Sequence, residues 1–241
     1  MNLAIDIGNT MAKMAVIEAG QVVDTFKFED LSLADVKGVF NAYPGIEAAV
    51  MISARDAGEV KQWIKAHVKR FVDFTSAIPV PIKNGYRTPH TLGPDRLAAA
   101  VGAATLYPGA NVLVADFGSA ITIDMVSAGG EYLGGNISPG AAMRFRALNT
   151  FTRALPLCQL CEQTELVSRE SVRAIESGVV NGIVYEIEGY IARLEGKYGP
   201  LKIIFTGGDG NFFAKRFKNP IFATYDLVAY GLNRILEYNA D

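Results

Sequence analysis

Residues 3–23 of the chain, LAIDIGNTMAKMAVIEAGQVV, decide the fold because residues 113–133, LVADFGSAITIDMVSAGGEYL, repeat their pattern. At a constant offset of 110 positions, the matching pairs are Asp6 with Asp116, Gly8 with Gly118, Asn9 with Ser119, Val16 with Val126 and Gly20 with Gly130. Each stretch predicts an apolar strand, an Asp-x-Gly turn, a second strand, a glycine turn and a third strand. The chain is therefore expected to use the opening of one structural unit twice.

The two Asp-x-Gly turns carry residue types that suit nucleotide phosphates. A glycine after the aspartate lets backbone N–H groups point at phosphate oxygens. Asn9, Thr10 and Ser119 add short hydrogen-bonding side chains. Asp6 and Asp116 can hold a hydrated cation that offsets phosphate charge. Two ordinary β-hairpins with polar turns would look similar, but repetition in one register favours a phosphate site.

The rest of the chain predicts a mixed α/β fold in two halves. The predicted strands are residues 47–53, 70–76, 201–205 and 220–224. The predicted helices are residues 57–69, 95–107, 140–154, 168–197 and 226–238, with one more helix directly after residues 205–210. A boundary at residues 107–110 gives an N-terminal half of residues 1–109 and a C-terminal half of residues 110–241.

The bulk composition is that of an ordinary soluble globular protein. Of 241 residues, 50% are hydrophobic and 20% charged, and the net charge is −2. This balance gives no electrostatic reason to expect nucleic acid or an anionic membrane as a partner. The sequence has no basic leader, no apolar run of about 18 residues, and too few cysteines for a disulfide framework. We therefore expect a cytoplasmic protein.

Residues 93–96, Gly-Pro-Asp-Arg, open an alanine-rich predicted helix. Residues 84–96, NGYRTPHTLGPDR, contain Tyr86, two glycines and two prolines. This composition indicates a loop of defined conformation that could bind a ligand. Asp95 could accept the proton of a substrate hydroxyl during phosphoryl transfer, and Arg96 could bind a carboxylate or phosphate through two parallel hydrogen bonds. An aspartate at a helix start is also a common N-cap, and that alternative stays open.

Two further glycine loops follow predicted strands. In residues 134–140, GGNISPG, the glycines permit close approach of the backbone to a ligand, although a simple strand-to-helix turn would also explain them. In residues 205–210, FTGGDG, the glycine pair suits the flat face of a nucleotide base or ribose. Lys13, on the second strand beside the first turn, is expected to contact phosphate.

The cysteines Cys158 and Cys161 form a single CxxC pair. A zinc site would need two further ligands, and His67 and His90 lie far away without ligand spacing. We therefore expect neither a metal site nor a redox function for the pair.

Taken in order, these motifs resemble the type III pantothenate kinases, members of the acetate and sugar kinase, Hsp70 and actin superfamily. The resemblance spans nearly the whole chain: DIGNT with Lys13, then Tyr86, GPDR, DFGSAITID, GGNISPG and TGG. It implies two ribonuclease H-like, actin-like ATPase halves, each a mixed sheet with flanking helices. It also implies transfer of the γ-phosphate of ATP to the hydroxyl of pantothenate, giving 4′-phosphopantothenate, the first step toward coenzyme A. A homodimer, Mg²⁺ or another divalent cation, and K⁺ or NH₄⁺ are implied as well.

The same resemblance implies individual roles. Asp95 would be the proton acceptor, Asp116 would bind the monovalent cation, and Ser119 would contact ATP. The segment expected to bind the ATP phosphates is Asp6, Ile7, Gly8, Asn9, Thr10, Met11, Ala12 and Lys13. The residues expected to bind pantothenate are Tyr86, Gly93, Pro94, Asp95, Arg96 and Ser171, the last from across the dimer.

Three positions depart from the family pattern. Ser119 and Ser171 stand where threonine is usual, and Thr88 stands where asparagine is usual. Because the serines keep the hydroxyl, we expect function to survive, with weaker ATP contacts at Ser119.

Two other functions stay open at this point. The Baf-like transcriptional accessory proteins share the pattern, so a non-catalytic regulator is one alternative. Retention of Asp6, Asp95, Arg96 and Asp116, together with the absence of a basic patch, favours the kinase. The other alternative is a kinase or phosphatase that acts on another small substrate.

Overall fold

The computed structural model describes residues 1–219, 221–224 and 226–240. The chain forms two compact units, of which the first comprises Met1–Gly109, Val126–Gly134 and Asp226–Asp241. The second comprises Ala110–Met125 and Gly135–Tyr225. Packing thus assigns two stretches from the later part of the sequence to the first unit. The division of the repeated halves at residues 109 and 110 stays a prediction.

The first unit contains a five-stranded sheet in the order β3-β2-β1-β4-β5. Its strands are β1 (Asn2–Ile7), β2 (Ala12–Glu18), β3 (Gln21–Phe28), β4 (Ala48–Ser53) and β5 (Arg70–Asp73). β1 pairs antiparallel with β2 and parallel with β4. The sheet is therefore mixed, as the sequence predicts.

Four α-helices pack in the described part of the first unit. They are α1 (Leu33–Ala42), α2 (Gly58–His67), α3 (Pro94–Leu106) and α7 (Leu227–Tyr238). α1 and α2 share a core with β1, in which Val36, Ile64 and Leu3 are fully buried. α7 packs on β1 and β4, and α3 packs on α7. A Cβ atom at Gly231 of α7 would lie 1.8 Å from the carbonyl oxygen of Ala98, so glycine allows the two helices to touch.

The second unit is also built on a sheet, with the order β11-β10-β7-β8-β9. Its strands are β7 (Asn111–Phe117), β8 (Ala120–Val126), β9 (Glu131–Pro139), β10 (Leu201–Thr206) and β11 (Ile221–Ala223). β10 runs parallel to both β7 and β11. The short strand β6 (Lys83–Asn84) pairs with the first two residues of β9, and this pairing lies within the first unit.

The described residues of the second unit form three helices: α4 (Ala141–Phe151), α5 (Ser171–Tyr198) and α6 (Gly210–Ala214). Their core includes Phe145 and Phe213, and the ring of Phe213 stacks 4.9 Å from that of Phe117. Residues 152–170 connect α4 to α5 without helix or strand. Among the described residues, no helix is both long and apolar enough to cross a membrane.

Both units begin with the predicted order of strand, turn, strand, turn and strand, but the constant offset does not hold throughout. β2 begins four residues after Gly8, whereas β8 begins two residues after Gly118. Gly8 N–H donates to the oxygen of Met11 (3.0 Å), and Gly118 N–H donates to that of Ala120 (3.2 Å). The second turn is therefore shorter. A longer connection between β8 and β9 restores the offset of 110 by Gly130.

Several elements of the structure differ from the predicted ones. The predicted helix 168–197 begins at Ser171, and the predicted strand 70–76 ends at Asp73. The predicted strand 220–224 forms at Ile221–Ala223, and Pro220 lies outside the described residues. Helix α1 was not predicted, although Ser32 and Asp35 form the capping box that marks its start.

Candidate active site

In the first unit, Asp6, Lys13 and Asp95 share one electrostatic environment. Asp6 near the end of β1 and Lys13 near the start of β2 are cross-strand partners. Burial raises the pKa of Asp6 to about 6, the charge of Lys13 opposes this rise, and the charge of Asp95 adds to it. A partly buried carboxylate beside a second carboxylate favours a bound cation, because a positive ion would stabilise the ionised form.

The turn after Asp6 presents a short exposed tip. Asn9, Thr10 and Met11 are exposed, whereas Ile7 and Ala12 on either side are buried. A bound phosphate could therefore reach the tip residues, while the side chains of Ile7 and Ala12 point into the core. The predicted phosphate segment 6–13 thus divides into a surface turn and its buried supports.

Asp95 is exposed in the first turn of α3. It is not the N-cap, because Gly93 occupies that position and Pro94 follows it. Its Oδ1 accepts a hydrogen bond from the backbone N–H of Arg96 (2.9 Å), and within the described residues Oδ2 has no hydrogen bond. A Cβ atom at Gly93 would lie 2.4 Å from Oδ1, which explains the glycine. One carboxylate oxygen holds the helix start, and the other is available for a substrate.

Arg96 follows Asp95 and is buried, with 6% of its surface exposed. Its guanidinium lies 5.8 Å from the ring centre of Tyr86, and the Tyr86 ring stacks on Tyr132 with 6.1 Å between centres. A buried arginine over an aromatic ring is a rigid site for a carboxylate.

Tyr132 is fully buried behind Tyr86, and no sequence motif marks it as part of the site. β6 places Asn84 opposite Tyr132, and the Asn84 side chain accepts a hydrogen bond from the backbone N–H of Tyr86 (3.0 Å). The pairing of β6 with β9 therefore positions the predicted pantothenate residue Tyr86. No local pattern indicates a contact between residues so far apart in sequence.

In the second unit, the Asp116 carboxylate lies over a glycine of the TGGDG loop. A Cβ atom at Gly207 would approach Asp116 Oδ1 to 2.4 Å and the carbonyl carbon of Phe117 to 2.6 Å. Gly207 also has a positive φ of 85°. The glycine is thus required by the protein's own packing rather than by a ligand. At Gly208, by contrast, a Cβ atom would meet only open space.

Ser119 is exposed beside the start of α4. Its carbonyl oxygen accepts a hydrogen bond from Gly140 N–H (3.2 Å), and a Cβ atom at Gly140 would lie 2.6 Å from that oxygen. At Gly135, a Cβ atom would lie 2.1 Å from the oxygen of Ile123 and 2.4 Å from a carboxylate oxygen of buried Asp124. Gly135 lies in β9, and Gly140 is the N-cap of α4. Both glycines allow the backbone to pack closely on its own unit.

Ser171 is the first residue of α5 and lines an apolar groove of about 850 Å³. The groove runs between α4 and α5 and includes Met143, Phe151 and Ala174. Phe151 is 86% exposed, an unusual exposure for a phenylalanine.

The cysteine pair lies in the irregular segment that connects α4 to α5. Cys158 and Cys161 are free thiols, and burial raises the pKa of each. No cluster of three histidine, cysteine, aspartate or glutamate ligands occurs in the part of the chain that the structure describes. A cation at Asp116 would therefore need backbone, hydroxyl, water or nucleotide oxygens as its other ligands.

The sequence profile of the type III pantothenate kinases matches residues 2–193. The chain belongs to the type III pantothenate kinase family. A relative with that name from Phocaeicola vulgatus is 41% identical over 242 residues, covering 99% of each chain. The match of the family profile includes every residue of the predicted site, from Asp6 to Ser171.

Solved structures agree with this family's expected fold. The chain resembles a Campylobacter jejuni protein assigned to the Baf family of transcriptional activators, with a TM-score of 0.67, 24% identity and coverage of 99% and 98% of the two chains. It also resembles a Listeria monocytogenes protein assigned as an N-acetylmannosamine kinase, with a TM-score of 0.55, 14% identity and coverage of 100% and 99%. At these identities the likeness shows the fold alone, which is the predicted actin-like α/β architecture.

Proposed function

We propose that this chain transfers the γ-phosphate of ATP to the hydroxyl of pantothenate, forming 4′-phosphopantothenate for coenzyme A biosynthesis. The observation that carries the proposal is the match to the type III pantothenate kinase family over residues 2–193. Relatives of that name cover the chain almost from end to end.

Asp95 is the proposed proton acceptor. It is exposed, and its Oδ2 has no hydrogen bond among the described residues, so this oxygen can accept the proton of the substrate hydroxyl. Arg96 and Tyr86 would bind the pantothenate carboxylate and the adjoining chain, because the buried guanidinium is already held against the ring. Gly93 and Pro94 shape this helix start.

Residues Asp6 to Lys13 would bind the ATP phosphates. The exposed tip, Asn9 to Met11, offers backbone N–H groups and two polar side chains, and Lys13 offers a positive charge on the adjoining strand. Asp6 would hold Mg²⁺ or another divalent cation, which supplies positive charge to the phosphates when bound. The raised pKa of Asp6 supports this role, since burial destabilises the ionised carboxylate and the charge of Lys13 compensates only in part.

In the second unit, Asp116 would bind K⁺ or NH₄⁺, and Ser119 would contact ATP. Asp116 lies near the end of β7 against Gly207, and Ser119 lies in the turn after β7, where its carbonyl oxygen accepts a hydrogen bond from Gly140 N–H. We also propose residues 1–109 and 110–241 as the two repeated actin-like halves, and the cytoplasm as the location of the protein.

The proposed active unit is a homodimer in which Ser171 contacts the pantothenate of its partner. The groove beside Ser171 supports this proposal, because Met143 and Phe151 are exposed there beside the start of α5. Further along α5, Ile175, Ile183 and Ile187 are buried in the core of their own unit and offer little surface to a second subunit. The dimer contact would therefore use the groove and its exposed rim.

The function is tested by measuring ATP consumption with and without pantothenate. ADP should form in proportion to phosphopantothenate, and ATP alone should be consumed far more slowly. A folded protein that forms no phosphopantothenate would refute the proposal. The Baf-like alternative predicts that outcome, but the 24% likeness to a Baf-assigned structure supports only a shared fold.

A further inference from the structure

Strand register in the first unit places a second lysine beside Lys13. Asp6 on β1 pairs with Lys13 on β2, and Lys13 pairs in turn with Lys27 on β3. Residues paired in this way point to the same face of a sheet, because side chains alternate between the two faces along each strand. One face of the sheet therefore carries Asp6, Lys13 and Lys27 in a row.

This row lies at the edge of the sheet from which the turn after Asp6 emerges. Ile7, the last residue of β1, pairs with Ala12, the first residue of β2, and Ala12 pairs with Phe28, the last residue of β3. Lys27 is thus one residue from the end of its strand, as Asp6 is from the end of β1. Neighbouring strands are only about 4.8 Å apart, so both ammonium groups can reach one ligand that lies over β2.

Helix packing leaves this end of the face accessible. Helices α1 and α2 cover the opposite face, where Met14 and Val36 share a core. On the face that carries the row, α7 packs on β1, β3 and β4. Its N-cap residue Asp226 accepts a hydrogen bond from the Thr25 hydroxyl (3.2 Å). Lys27, two residues beyond Thr25 toward the edge, is exposed.

The pairing of two lysines has an energetic consequence. Like charges directly opposite each other on antiparallel strands repel and destabilise the sheet. Asp6 is the neighbour of Lys13 but lies two strands from Lys27, so it offsets mainly the charge of Lys13. An anion bound over both ammonium groups would relieve the repulsion, and a polyphosphate chain carries enough negative oxygens to contact both.

We propose that Lys27 is a second phosphate-binding lysine, which holds the polyphosphate of ATP together with Lys13. This inference rests on the proposed ATP-dependent function and adds a residue of β3 to the phosphate segment 6–13. The contact forms when the nucleotide binds and is kept during transfer. Loss of Lys27 should therefore raise the KM for ATP and change kcat little.

Nucleotide binding tests this contact directly. Calorimetry with ADP and with ATP, each with Mg²⁺ and without pantothenate, should show about tenfold weaker binding for Lys27→Gln and a larger loss for Lys27→Glu. Lys65→Gln is the matched control, because it removes an exposed lysine of α2 on the other side of the sheet, and its affinities should stay within twofold of the parent. Equal affinities for Lys27→Gln and Lys65→Gln would overturn the assignment.

Steady-state kinetics add a readout that a merely structural role would not give. Lys27→Gln should raise the KM for ATP at least fivefold, with kcat and the KM for pantothenate within about twofold of the parent values. Choline chloride added at constant K⁺ should raise the KM for ATP more steeply in the parent than in Lys27→Gln, because salt screens a charge that the variant lacks. The same salt dependence in both proteins would contradict the contact.

The repulsion between the lysines is measured without a ligand. Lys27→Gln should raise the urea midpoint of the parent protein, but it should not raise that of Lys13→Gln, in which the repulsion is already gone. The same effect of Lys27→Gln in both backgrounds would show that the two charges do not interact, and the pair would not form a joint anion site.

The outcomes separate this inference from the proposed function. If the parent forms phosphopantothenate and Lys27→Gln keeps the parent KM for ATP, the role of Lys27 is wrong and the function stands. If Lys27→Gln weakens nucleotide binding but the parent forms no phosphopantothenate, the role of Lys27 stands and the function is wrong.

Discussion

Asp6 and Lys13 face each other as cross-strand partners on β1 and β2, yet the pKa of Asp6 is raised to about 6. Burial outweighs the lysine, and the charge of Asp95 acts in the same direction as burial. The protein therefore holds a carboxylate whose ionised form is destabilised near the pH of the cell. A bound cation would reverse this cost, which links metal binding to the stability of the first unit.

The first prediction concerns pH and stability. Because the folded pKa of Asp6 lies above the ordinary value of 3.8, the folded state holds the Asp6 proton more tightly than the unfolded state does. This contribution to stability is fully present below pH 4 and is lost as the pH rises through 6. Asp6→Asn should therefore be more stable than the parent protein at pH 7.5, with the difference shrinking toward pH 4.

Urea unfolding at pH 4.5, 6 and 7.5 measures this difference, and Glu18→Gln, an exposed carboxylate on the same hairpin, is the control. The control should show no such trend. Addition of Mg²⁺ and ATP should narrow the gap at pH 7.5 by stabilising the parent protein. A stability difference for Asp6→Asn that does not vary with pH would contradict the prediction.

The second prediction concerns the monovalent cation. If Asp116 helps to coordinate K⁺, activity should fall sharply when Na⁺ replaces K⁺, because the smaller ion fits the same oxygen ligands less well. Asp116→Ala should lose the response to K⁺, and turnover in the two salts should become equal. Initial rates at constant ionic strength make the comparison. Equal parent activity in both salts would argue against a cation at Asp116.

The third prediction compares the replacement of glycine by alanine at two positions. Gly140→Ala places a Cβ atom 2.6 Å from the oxygen of Ser119, so the phosphate turn must move. The KM for ATP should rise at least fivefold, and the protein should lose roughly 1–3 kcal/mol of stability. Gly189→Ala lies in α5, where the new methyl group meets nothing within 4 Å, and it should gain up to about 1 kcal/mol.

Steady-state kinetics and urea unfolding of the two glycine variants are sufficient for this comparison. A Gly140→Ala enzyme with the parent KM for ATP would show that the turn at Ser119 tolerates displacement, and the proposed contact with ATP would lose its support.

The fourth prediction concerns the pantothenate site that the two subunits of the proposed dimer share. Asp95→Asn and Ser171→Tyr should each be inactive, and a mixed dimer should carry both lesions in one pocket and none in the other. After joint unfolding and refolding, random pairing should restore about a quarter of the pockets. Sedimentation should confirm dimers. Absence of recovery in proven mixed dimers, or a fully active monomer, would contradict the shared site.

The sequence predicts those parts of the fold and site that depend on neighbouring residues. Local patterns predict the strand–turn–strand openings, the helix that begins at Pro94 and, with a start three residues too early, the long helix that begins at Ser171. The sequence could not show that the turn at Gly118 is shorter than the turn at Gly8. The longer connection between β8 and β9 compensates for the difference and leaves the offset of 110 positions unchanged at Gly130.

Contacts between distant residues account for most of what the sequence did not reveal. Tyr132 supports Tyr86 only because β6 pairs with β9, and Gly207 is required only because its backbone lies against Asp116. For Gly207 the sequence predicts contact with a nucleotide, and for Gly135 and Gly140 it leaves ligand contact and a simple turn open. In the structure all three glycines pack against their own unit. A glycine pattern indicates close approach but does not identify what approaches.

The central claim is that the chain phosphorylates pantothenate with Asp95 as the proton acceptor. It is tested most directly by measuring ADP and phosphopantothenate formed by the parent protein and by Asp95→Asn. Asparagine keeps an Oδ1 acceptor for the N–H of Arg96, so the helix start and the fold should be preserved. With ATP, Mg²⁺, K⁺ and pantothenate, the parent should form ADP and phosphopantothenate in equal amounts, and Asp95→Asn should lower kcat at least about 100-fold. An analogue of pantothenate without the accepting hydroxyl should give no phosphorylated product. Near-normal turnover by folded Asp95→Asn, or ADP formation that does not depend on pantothenate, would contradict the account.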